Sequence, residues 1–145
     1  MIKKTITYED FDGNTRTDDF YFHMNQTEFT KLNGEVPGGI QDYMNEIQKN
    51  GDEDGLLRLI DTIVSRSYGE RDKDDGSFTK IGKNGRPLYE KFVNTDAYDK
   101  LMIELIQNDR TIMAFLTGIF PKDVQKKFND EIRKLEANGT VVPKP

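Results

Sequence analysis

The stretch from Thr95 to Pro121, TDAYDKLMIELIQNDRTIMAFLTGIFP, constrains the rest of the chain more than any other. It predicts two amphipathic helices hinged at Asn108-Asp109. In the first, Tyr98, Leu101, Met102, Leu105 and Ile106 recur at i, i+3, i+4, i+7 and i+8, one stripe of a 3.6-residue helix. In the second, Ile112, Met113, Phe115, Leu116, Ile119 and Phe120 repeat the pattern. Asp109 has the side chain of an N-cap, able to accept from amides that have no partner inside the helix. Pro121 ends the second helix, because its ring nitrogen carries no hydrogen for the ladder. Two stripes of this width cannot stay in water, so the other segments are expected to pack on the pair, with Leu105 and Phe115 buried.

Ahead of this pair the pattern has period two. Ile2, Ile6 and Tyr8 oppose Lys3, Thr5 and Thr7, and Phe20, Phe22 and Met24 oppose Asp19, Tyr21 and His23. Asp12-Gly13 between them supplies left-handed turn positions, so Ile2–Tyr8 and Thr17–Met24 predict a hairpin. Asn25 with Glu28 reads as a capping box, with Met24 and Phe29 in the places of a hydrophobic staple. Gly34 and Pro37-Gly38-Gly39 are expected to keep that helix short. Helices follow over 39–50, closed by Gly51, and over 54–68, where Asp52, Glu53 and Asp54 suit the positive end of the dipole and Gly69 suits the C-terminal cap. The segment 70–87 is charged and glycine-rich and predicts a mobile surface loop with a short strand at 78–81. A short helix over 88–93 leads into the central pair.

After Pro121 the segment KDVQKKFNDEIRKLEANG carries Val124, Phe128, Ile132 and Leu135 on a narrow stripe, with Gly139 as the expected end and TVVPKP as a tail. A helix with so narrow a stripe lies along its own body by one edge or offers that edge to another chain. Val124, Phe128, Ile132 and Leu135 are therefore the candidate partner-binding residues. The readings together predict an α+β fold, mainly α-helical, with an N-terminal β-hairpin packed on a bundle of about five to seven helices. Residues 1–121 are expected to form a single globular domain, and 122–145 a charged helix and tail.

Charge and residue types narrow the function. The net charge is −5, which argues against nucleic acid as the main partner, since phosphate binding needs a basic face. There is no cysteine, hence no disulfide, thiolate ligand or thiol nucleophile. No apolar run approaches the roughly 20 residues of a membrane span, and the N-terminus lacks the apolar core of a signal peptide. His23, the single histidine, falls on the polar side of a strand and reads as structural or solvated. Asp72, Asp74 and Asp75 before Gly76 miss the spacing of a calcium loop, and the glycines of IGKNGRP miss that of a phosphate loop. No catalytic residue, cofactor site or metal site is expected, and no enzyme.

The opening MIKKTITYEDFDGNTRTDDFYFHMNQTEF, the segment SYGERDKDDGSFTK and the run FVNTDAYDKLMIELIQNDRTIMAFLTGIFP resemble tail assembly chaperones of siphophages and prophages of Gram-positive bacteria. The shared pattern is a strand, an acidic D-x-D-G-N turn, an aromatic strand, a T-x-x-E/F helix start, a T-x-A-Y helix and an F-x-x-G-I-x-P ending. The resemblance covers most of 1–121, and 122–145 departs from it. It implies a non-enzymatic protein that coats the tape-measure protein and helps the tail tube polymerise around it. It further implies the tail tube protein as a second partner, homo-oligomers, work in the cytoplasm of the infected host, and absence from the finished virion. Two other classes compete: a small phage or prophage regulator or inhibitor binding one host protein, and a structural tail component retained in virions.

Overall fold

The computed structural model describes residues 1–137, with the side chains of Asp109 and residues 131–137 outside the description. Alternation in the first residues produces a hairpin of β1 (Ile2–Glu9) and β2 (Thr15–Phe22), paired antiparallel from Ile2↔Phe22 to Glu9↔Thr15. Its turn is a three-residue loop. Asp10 O accepts from Gly13 N at 3.0 Å, Asp10 N donates to Asn14 O at 2.9 Å, and Gly13 has φ +82°. Only Gly13, and not Asp12, takes the left-handed position, as in a type I turn followed by a bulge residue.

Three helices come next: α1 (Gln26–Glu35), α2 (Ile40–Asn50) and α3 (Glu53–Ser67). The capping box at the start of α1 is complete, with Glu28 N on Asn25 Oδ1 at 2.8 Å and Asn25 N on Glu28 Oε1 at 3.0 Å. Both staple residues, Met24 and Phe29, are buried. Gly34 lies inside α1 and does not stop it; the chain turns extended at Val36, just before Pro37. Gly51 caps α2 in the left-handed conformation, and Asp52 caps α3 by accepting from Gly55 N at 2.9 Å.

Two expectations fail where α3 ends. Gly69 is not its C-cap. The chain goes extended at Tyr68 and runs straight into β3 (Tyr68–Arg71), which pairs with β2 through Tyr21↔Gly69 and Phe22↔Tyr68. What Gly69 provides is space, since a Cβ there would stand 2.6 Å from both Phe78 Cζ and the Thr79 carbonyl oxygen. Nor is 70–87 an irregular loop. β3 turns back into β4 (Phe78–Thr79), giving a four-stranded sheet of order β1-β2-β3-β4, and Ile81 bridges Pro87 across a second turn. The acidic side chains shape the first turn: Asp72 Oδ1 accepts from Asp74 N at 2.8 Å, and Asp75 Oδ1 from Ser77 N at 2.8 Å. Asx turns of this kind use charge and glycine to make structure, which a count of polar residues reads as loop.

The remaining helices are α4 (Tyr89–Phe92), α5 (Asp96–Ile106), α6 (Asp109–Ile119) and α7 (Lys122–Ala137). The two central helices stand where the periodicity puts them, with Leu105 and Phe115 buried. The cap of α6 is Asn108, not Asp109: Asn108 is extended, and its Oδ1 accepts from Arg110 N at 2.9 Å and Thr111 N at 3.1 Å. Adjacent Asn and Asp are equally good caps, and the bond falls to the one that precedes the first helical turn.

One face of the sheet and the helices share a core rich in rings. Tyr68 stacks on Phe92 at 4.4 Å between centroids, and Phe22 meets Phe115 edge-on at 5.2 Å. Distant segments are tied by two polar junctions. Lys80 Nζ donates to Glu28 Oε2 at 2.6 Å and to Arg66 O at 2.7 Å, joining the residue that follows β4 to α1 and the end of α3. Asp61 on α3 accepts from the hydroxyls of both Tyr89 and Tyr98, the latter at 2.5 Å, joining α4 and α5. His23 packs edge-on to Phe78 at 6.1 Å.

The tyrosine junction carries an alkaline prediction. Burial, reinforced by the Asp61 carboxylate, pushes Tyr98 up to about 12 and Tyr89 further up, and burial also raises Tyr68. A folded-state value above the unfolded one near 10 means stability is full below pH 10 and is lost as pH climbs toward 12. Urea midpoints should therefore fall steeply between pH 10 and 12, and Tyr98→Phe should flatten that fall. A midpoint independent of pH in this window refutes the assignment.

Candidate partner interface

Of the four candidate residues on the last helix, Val124 and Phe128 are brought to the body. Val124 and Phe128 are buried, and the Phe128 ring lies 5.3 Å from Phe120 and 6.4 Å from Phe29, centroid to centroid. The start of α7 is seated by Gln125, whose Nε2 donates to Phe120 O at 2.6 Å, satisfying a carbonyl left open at the end of α6. Ile132 and Leu135 lie outside the described side chains.

Where α7 crosses α1 and α2 it leaves a groove of about 570 Å³. Phe29, Val124 and Phe128 give it an apolar floor, while Gln26, Thr30 and Lys127 are exposed along its rim. Gln41 of α2 also lines it, and Gln41 Oε1 is buried with no hydrogen-bond partner among the described residues. A buried acceptor left open costs free energy until a donor reaches it. Concave, apolar at the bottom and polar at the edges, the groove has the character that receives one face of an amphipathic helix.

The last helix's own stripe pointed to half of this groove. Phe29 and Gln41 were missed as site residues, because Phe29 reads in sequence only as a staple and nothing links it to a residue 99 positions away. Elsewhere, a wider cleft of about 1240 Å³ beside the β3–β4 turn includes the exposed Phe11 and Ile81. Among the described residues no helix is long and apolar enough to cross a membrane.

The phage tail assembly chaperone family model matches residues 1–143, and the chain belongs to that family. The match takes in the hairpin, the central helices and α7 alike. No curated protein and no solved structure matches it.

Proposed function

We propose that this chaperone acts on the tape-measure protein, holding an amphipathic helix of it in the α1–α2–α7 groove while the tail tube assembles. The observation that carries the reading is the groove itself, an apolar floor of Phe29, Val124 and Phe128 under a polar rim of Gln26, Thr30 and Lys127. A tape-measure helix offers what such a groove lacks: a stripe of apolar side chains to cover the floor and polar side chains to meet Gln26, Thr30 and Lys127 along the rim. Their spacing in the sequence assigns Ile132 and Leu135 to the same partner-binding set. The role is one of binding without catalysis, exercised in the cytoplasm of the infected cell, with the chaperone left behind when the virion is complete.

The test is Thr30→Arg, which places a long charged side chain across the rim from an exposed helix position. Co-purification and calorimetry with helical tape-measure fragments should show at least about tenfold weaker binding than the parent chain, with an unchanged urea midpoint. Undiminished binding by the variant would remove the groove from the proposal. Recovery of one globular host protein in place of the tape measure would favour the regulator reading.

A further inference from the structure

The open edge of β1 is a second surface. β1 pairs with β2 on one side only, and it stands at the end of the sheet order. The bonded Asp10–Asn14 pair sets the alternation, so the even residues of β1 direct their amides and carbonyls to β2 and the odd ones direct theirs outward. Glu9 N reaches Asp96 Oδ2 at 3.5 Å, whereas Lys3, Thr5 and Thr7 have no backbone partner among the described residues. An eight-residue edge without proline or bulge is a template for another strand.

Sequence and packing say which strand. Paired antiparallel with itself about Ile6, β1 sets Lys3 opposite Glu9 of a second copy and Thr5 opposite Thr7, and the symmetry repeats both contacts. Lys3 and Glu9 are exposed on the solvent face, free to make those ion pairs. Beneath the edge lies α5, held to β1 by Lys4 Nζ on Glu104 Oε1 at 2.7 Å. Asp96 reaches round to the open edge, so Ile103, seven residues on and on the same side of the helix, points past that edge. Ile103 is 45% exposed, an apolar side chain placed where a second α5 would lie.

We propose that this edge binds a second copy of the chain, joining the two sheets through β1 and packing the α5 helices beneath the seam. The inference is independent of what the groove on α1, α2 and α7 carries. Sedimentation velocity of the full chain should show a monomer–dimer equilibrium. Lys3→Glu and Glu9→Lys should each weaken it at least about tenfold, and the double swap should restore it to within about threefold. Thr5→Pro should abolish the dimer while leaving the intramolecular ladder and the urea midpoint in place, because the Thr5 amide faces outward. A full chain monomeric at about 1 mM, a dimer that survives Thr5→Pro, or a double swap that fails to recover overturns the proposal.

Discussion

Phe22→Ala is expected to cost about 3–5 kcal/mol of folding free energy, the range for a large aromatic removed from a closed core. Phe22 has 0% of its surface exposed, and its ring touches Tyr68, Phe92 and Phe115 at centroid distances of 5.7, 5.9 and 5.2 Å. It stands where the hairpin, the third strand and α6 meet, so no single neighbour can relax into the hole without pulling another away. Urea unfolding of the two chains measures the loss directly. Phe11→Ala is the control: Phe11 is 87% exposed at the hairpin tip, and its change should stay within about 0.5 kcal/mol. A cost at Phe22 below about 1 kcal/mol would mean that the ring cluster is not the keystone of this core.

Ending the chain after Pro121 should have an effect of similar size. Burial of Val124 and Phe128 is worth about 1.5–3 kcal/mol each, so their loss removes roughly 3–6 kcal/mol. It also uncovers Phe120, now 1% exposed, and Phe29, now 8% exposed. For a domain whose whole stability is about 5–15 kcal/mol, that leaves a marginal fold. The measurement is a urea titration of the shortened chain with the intact chain alongside. An unchanged midpoint would establish 1–121 as a unit that stands alone. A fall of the expected size would make α7 an integral part of the core and would abolish the groove that the tape-measure helix is proposed to fill.

Helices were the most legible part of the fold, because each carries its own period and its own stops. The stripes at Leu101–Ile106 and Ile112–Phe120, the capping box at Asn25 and the glycine at Gly51 all speak within a dozen residues. The third and fourth strands were not legible. β3 is four residues and β4 two, too short for alternation to show, and β3 takes its place in the sheet from Tyr21 and Phe22, far back in the chain. Gly69 illustrates the difficulty: a glycine after a helix usually signals a left-handed cap, and only the nearness of Phe78 and Thr79 reveals the need for space. Half of the candidate groove was legible for the same reason, since α7 advertises its stripe while the contribution of α1 and α2 depends on packing between distant segments.

The seam between β2 and β3 also has a consequence in time. Each hairpin of the sheet is local, but Tyr21↔Gly69 and Phe22↔Tyr68 close across the whole of α1 to α3. Contacts of long sequence separation form late, because the chain between them must be gathered first. At a synthesis rate of about 5–20 residues per second, the N-terminal hairpin emerges about 2–10 s before Tyr68 to Arg71 are available to meet it. Through that interval Phe20 and Phe22 have neither Tyr68 nor Phe92 to cover them. A protein of a chaperone family thus begins its life on the ribosome with an aromatic face of its own in need of protection.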